Sequence, residues 1–177
     1  MGTGASVRRV LCFSFATVGA FAMMLLAIDV GNTTTALAAF SGDDLREQWR
    51  LNTDARRTAD EYAALLHTLF SKSNMRLEEI TDVAISSVVP AAIDALVRFG
   101  RKHLGLDPFV LSAGVDFGVR IHYHPVTDVG ADRVANAVAA HAKYGGKVIV
   151  VDFGTATTLD AVSEEGDYLG GAILPGI

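Results

Sequence analysis

Two stretches of this chain repeat one another. Leu25-Leu26-Ala27-Ile28 runs into Asp29-Val30-Gly31-Asn32-Thr33-Thr34-Thr35, and the β-branched run from Lys147 to Val151 runs into Asp152-Phe153-Gly154-Thr155-Ala156-Thr157-Thr158. Each copy is an apolar strand, an acid, one residue, a glycine and a polar turn rich in threonine. Such a repeat narrows the fold more than any single motif, because it implies duplicated halves. Taken alone, the first copy reads as an anion-binding turn or as a β-hairpin that carries a buried acid. With both copies placed after strands, the pair reads as two turns clasping one polyphosphate from opposite sides. Gly31 and Gly154 permit close backbone approach, N–H groups and hydroxyls face anionic oxygens, and Asp29 and Asp152 hold cations. Neither a Walker GxxxxGK[ST] nor a GxGxxG occurs, which excludes P-loop and Rossmann sites as far as motifs can.

Half of the 177 residues are hydrophobic, enough for a real core, so disorder is the wrong class. The net charge of -5 and the lack of a basic stripe argue against a nucleic-acid partner. Cys12 is the only cysteine, so there is no disulfide framework or thiol metal cluster, which fits a reducing cytoplasm. Arg8-Arg9 followed by an apolar run from Val10 to Ile28 has the look of a signal peptide or short membrane span. That run ends inside the strand that must deliver Asp29, however, and Met24 opens a complete strand and turn. Residues 1–23 are therefore expected to be an upstream-start artefact or a disordered extension, and no membrane partner is expected.

Further strands are expected over Thr35–Phe40 and Glu47–Leu51, giving a three-stranded meander. A helix follows over Ala59–Phe70, with its apolar stripe at Tyr62, Leu65, Leu66 and Leu69. Then come a strand over Asp82–Val89 stopped by Pro90, a helix over Ala91–His103 and a short strand over Pro108–Leu111. Residues 112–129 read as a long loop with a short strand around Val119–Tyr123, and Gly130–Tyr144 as a helix closed by Gly145-Gly146. Lys147–Val151 should be a central buried strand. The order makes an α/β layered fold whose sheet is at least partly parallel.

Four elements together are similar to one family: Asp29-Val30-Gly31-Asn32-Thr33, Gly130-Ala131-Asp132-Arg133, Asp152-Phe153-Gly154-Thr155-Ala156-Thr157 and Gly170-Gly171-Ala172-Ile173-Leu174-Pro175-Gly176. In order and spacing they resemble the type III pantothenate kinases, within the fold shared by actin, Hsp70-type ATPases and sugar kinases. The resemblance runs from Met24 to the last residue and implies a duplicated ribonuclease H-like (actin/Hsp70-like ATPase) α/β fold. On it, the first domain is complete over 24–145 and the second, 146–177, is partial. Family members continue for several tens of residues past this point, so the chain is expected to be truncated and weak or inactive alone.

The implied activity is ATP-dependent phosphorylation of pantothenate to 4′-phosphopantothenate, the first step of coenzyme A synthesis. Asp132 is then the general base, and Arg133 anchors the substrate or the transferred phosphate. Both fall in the first turn of a helix, where free N–H groups and the helix dipole favour anions. A carboxylate is a weak base for an alcohol, so its part is largely orientation. Tyr123, Gly130 and Ala131 complete the substrate side. By the same resemblance Asp29, Val30, Gly31, Asn32, Thr33, Thr34, Thr35 and Ala36 form the first phosphate loop, Thr155 contacts ATP, and Asp152 binds a monovalent cation, K⁺ or NH₄⁺. Mg²⁺ accompanies the nucleotide, and a cytoplasmic homodimer is expected. His122 and His124 share a strand face but have no third ligand nearby, so they read as solvated loop residues. The alternatives are a non-catalytic, accessory-transcription-factor-like member of the same family, or a sugar kinase of the superfamily, which would share only the phosphate turns.

Overall fold

The computed structural model describes residues 23–112 and 115–176. The expectation for residues 1–23 therefore lies, but for Met23, outside the described residues. Among those described, no helix is long and apolar enough to cross a membrane. The chain forms two compact units that part between Leu111 and Ser112.

The first unit opens with an antiparallel meander of β1 (Met24–Val30), β2 (Thr34–Ser41) and β3 (Asp44–Asn52). Helix α1 (Ala59–Lys72) begins at a capping box in which the Thr58 hydroxyl accepts from the Glu61 N–H and the Glu61 carboxylate accepts from the Thr58 N–H. Strand β4 (Ile80–Ser87) returns parallel to β1. Pro90, which reads from sequence as a stop, is instead the first residue of α2 (Pro90–Phe99), where a missing N–H costs nothing. The expected helix to His103 changes character at Gly100, becoming a π turn over Gly100–Leu104. A Cβ on Gly100 would collide with the Pro108 ring, so glycine lets this turn lie on the approach to β5 (Phe109–Val110).

The sheet order is β3-β2-β1-β4-β5, with β4 and β5 parallel to β1. This is the ribonuclease H-like arrangement of the actin/Hsp70 class. Alternation sends Leu26, Ile28 and Val30 of β1 and Val83 and Ile85 of β4 inward. They meet Tyr62, Leu66 and Phe70 of α1 and Ala92, Ala95, Leu96 and Phe99 of α2 in one core. The same alternation leaves Asp29, the odd residue out at the end of β1, on the exposed side.

In the second unit, helix α3 (Ala131–Tyr144) lies against a meander of β6 (Val148–Phe153), β7 (Ala156–Val162) and β8 (Tyr168–Pro175). Its order, β6-β7-β8, and its antiparallel pairing reproduce β1–β3, as the repeat requires. The strand expected around Val119–Tyr123 reduces to a single bridge between Ile121 and Tyr168. The central, buried position expected for Lys147–Val151 is not found. Among the described residues strand β6 is an edge of its sheet, and Ile149, Val151 and Phe153 are 63%, 44% and 66% exposed where their counterparts Leu26, Ile28 and Val30 are buried. The first copy has helices over that face; among the described residues the second does not.

Candidate active site

The opening turn is held from behind. The Gly31 N–H donates to the Thr34 carbonyl at 3.0 Å, leaving Asn32 and Thr33 at an exposed tip. Thr53, just past β3, pins both ends: its N–H donates to the Thr33 carbonyl at 2.9 Å and its hydroxyl to the Gly31 carbonyl at 2.8 Å. With that proton committed, the fully buried Thr35 hydroxyl donates to the Thr53 oxygen, 2.9 Å away. Of the residues expected to bind phosphate, Val30 and Thr35 thus turn their side chains into the core, and Ala36 pairs with Asp29 across the ladder. Asp29, Asn32, Thr33 and Thr34 are exposed, so this turn offers a carboxylate, hydroxyls and backbone to solvent. Ser86 stands beside Asp29 in the parallel register, with a buried hydroxyl that has no hydrogen-bond partner among the described residues.

The second turn is tighter. Asp29 pairs with Ala36, whereas Asp152 pairs with Thr158, so the second copy is one residue shorter and Thr155 alone forms its tip. The Gly154 N–H donates to the Ala156 carbonyl at 3.0 Å, matching the Gly31 bond. Asp152 and Thr155 are exposed. A Cβ on Gly176 would strike the carbonyls of Gly154 and Thr155, so that glycine allows the end of β8 to lie against the turn.

The Gly-Ala-Asp-Arg element starts α3 as expected, with Gly130 as N-cap and no side-chain cap. The Asp132 carboxylate folds back over residue 130, where a Cβ would displace it, so glycine lets that side chain keep this position. Asp132 Oδ1 is buried and accepts no hydrogen bond among the described residues. An acceptor in that state costs free energy, typically ~1–3 kcal/mol, unless a donor arrives.

Arg133, by contrast, is already engaged. Its Nε–H donates to Asp160 Oδ1 at 2.9 Å, and Nη2 lies 2.6 Å from the same oxygen but without the alignment of a second hydrogen bond. The Tyr168 hydroxyl, also buried, donates to that oxygen at 2.6 Å. Burial works against the Arg133 charge, but the hydrogen bond and charge of Asp160 outweigh it and hold the guanidinium above its usual pKa. Burial and the Asp160 carboxylate together push the Tyr168 phenol well up, so its proton stays on. Tyr123 is 41% exposed, and its ring edge lies 3.6 Å from where a Cβ of Gly170 would sit. Tyr123 and Arg133 therefore border consecutive glycines of β8.

His122 is not free: its Nε2 lies 3.2 Å from Asp167 Oδ2, a contact that holds the Asp167 carboxyl below its usual range. Among the described residues no group of three His, Cys, Asp or Glu side chains is arranged to hold a metal ion.

A family model described as Type III pantothenate kinase matches residues 25–177, a span that includes both turns, the α3 start and the Gly-Gly strand. The chain belongs to the type III pantothenate kinase family. The type III pantothenate kinases of Moorella thermoacetica and Syntrophotalea carbinolica are 50% and 48% identical to it over 154 residues. That alignment covers 87% of this chain but 61% and 60% of those proteins, so the chain spans about three-fifths of their length. Among solved structures, a reductive activator for a corrinoid, iron-sulfur protein superposes with a TM-score of 0.54 at 8% identity, over 84% of this chain and 30% of that one; it shares the fold.

Asp160, Tyr168, Thr53 and Ser86 were not found by motif. Asp160 left one signal: on β7 it shares an inward face with buried Val162, and an acid in such a position requires a buried partner. Thr53 and Ser86 carry no comparable signal, because hydroxyl residues at turns and in strands are common.

Proposed function

We propose that this chain carries the pantothenate kinase activity of its family, transferring the γ-phosphoryl group of ATP to the primary alcohol of pantothenate in coenzyme A biosynthesis. The observation that carries the reading is Asp132, a carboxylate oxygen buried without a donor among the described residues at the start of α3, beside a fixed Arg133. An acceptor alcohol supplies the missing donor. As the alcohol oxygen bonds to phosphorus, the bond to the ADP oxygen breaks and the proton passes toward Asp132. In a loose transition state the carboxylate serves chiefly to aim the oxygen. Arg133 offers its remaining N–H groups to an anion, and Tyr123 its ring to the apolar part of the acceptor.

The exposed backbone and hydroxyls of residues 29–36, with Thr155, take the ATP phosphates. The exposed Asp152 carboxylate, a hard oxygen donor, suits K⁺ or NH₄⁺, and Mg²⁺ arrives with the nucleotide, where it would neutralise phosphate charge. Residues 24–145 and 146–177 are taken as the two copies of the duplicated fold, and the protein as a cytoplasmic homodimer. Nothing in the comparisons favours a non-catalytic role. A coupled assay with ATP, pantothenate and K⁺ tests the reading, run on this chain and on one extended at its C-terminus to the length of its relatives. Phosphopantothenate formation by the extended protein is expected. Its absence in both, with ATP bound, would reject the assignment.

A further inference from the structure

The best-defined polar cluster of the second unit joins Arg133 to two residues outside every motif, Asp160 and Tyr168. Asp160 is 1% exposed, so its carboxylate requires a cation, and Arg133 supplies it from the first turn of α3. The geometry is lopsided for an ion pair built only to hold the fold. A structural Arg–carboxylate pair commonly sets two N–H groups against two oxygens. Here Oδ1 alone receives the Nε–H and the Tyr168 O–H, and Nη2 stands close to it without donating. The guanidinium is anchored along its Nε edge, Nη2 is buried without a hydrogen-bond partner among the described residues, and the side chain as a whole stays 13% exposed.

The opposite strand has been cleared to permit this. Gly171 pairs with Asp160 across the ladder, and a Cβ there would lie 2.5 Å from Arg133 Nη2 and 2.6 Å from Asp160 Oδ1. Gly170, at φ +123°, follows an irregularity in the β7–β8 register and takes the ring of Tyr123.

We infer that Asp160 and Tyr168, with the bare backbone of Gly171, are a seat that aims the Arg133 guanidinium at an anionic group of the acceptor. They are positioning residues, acting through Arg133. The role toward the acceptor rests on the kinase reading above; the seat itself does not.

The test uses the protein extended at its C-terminus to the length of its relatives, ¹⁵N-labelled. One slowly exchanging arginine Nε–H resonance is expected in the wild type, lost in Arg133→Lys, which assigns it, and lost in Asp160→Asn. Titration with pantothenate is expected to move this resonance, with affinity weakened about tenfold or more by Asp160→Asn and a few-fold by Tyr168→Phe. In an Arg133→Lys background Asp160→Asn should weaken pantothenate no further, a coupling that a merely structural role would not produce. Survival of the Nε–H signal in Asp160→Asn overturns the seat. Equal losses with and without the guanidinium overturn the positioning role. A wild type that shows the signal, loses it in Asp160→Asn and ignores pantothenate rejects the substrate reading and leaves the seat standing. If Asp160→Asn fails to fold, Tyr168→Phe, which removes only a hydroxyl, carries the same comparisons.

Discussion

Replacing Gly171 with alanine adds one methyl group where three atoms already stand. The nearest is the Leu159 carbonyl oxygen across the β7–β8 ladder, backbone that a hydrogen-bonded strand cannot move, followed by Arg133 Nη2 at 2.5 Å and Asp160 Oδ1 at 2.6 Å. Ordinary carbon contacts to such atoms begin near 3.4 Å. Overpacking of this kind costs about 1–3 kcal/mol, and displacing one member of a buried ion pair adds to it, so a total of about 3 kcal/mol or more is expected. For a chain of this size that lowers the melting temperature by roughly 6–12 °C. Gly105→Ala is the comparison: φ is +67° and ψ 20° there and nothing lies within 4 Å, so only the left-handed backbone is strained, at about 1–2 kcal/mol. Circular dichroism melts of the two variants decide the matter. A Gly171→Ala protein no less stable than Gly105→Ala would show that Arg133 and Asp160 are not packed against β8.

Thr58→Ala removes one half of the α1 capping box and should cost about 1 kcal/mol by urea denaturation, with the slope unchanged. Acid should also destabilise the fold. Asp60 is held below its usual range by hydrogen bonds from Lys102 and then His103, and Asp167 by His122 and then the Arg120 N–H. Depressed folded-state values mean that the unfolded chain binds protons first, so this stability is present above the ordinary carboxylate range and is lost as pH falls below about 4. Asp167→Asn should flatten that dependence in urea titrations between pH 3 and pH 6; an unchanged profile would remove Asp167 from the account. Turnover should require K⁺ or NH₄⁺ and fall when Na⁺ replaces them, and Asp152→Asn should erase the difference in a steady-state assay.

The first unit was largely legible because its elements are complete periods. The stripe on α1, the Thr58 cap and the alternation in β1 each place residues without help from distant chain. The repeat foresaw that β6 would open a second meander but not its burial, since an apolar β-branched run reads the same whether or not something covers it. The turn residues were found as a string, but alternation divides such a string between core and solvent, which is why Thr35 is structural and Asn32 is not. Asp160 and Tyr168 went unseen because Arg133 lies twenty-seven positions from its partner and only the fold brings them together.

The central claim, that Asp132 aims an acceptor alcohol in an ATP-dependent transfer to pantothenate, is tested most directly by Asp132→Asn in the C-terminally extended protein. Mass-spectrometric detection of phosphopantothenate should show rapid product formation by the parent and a loss of about 10²–10⁴-fold in kcat in the variant, with ATP affinity retained. Undiminished turnover by Asp132→Asn would contradict the account.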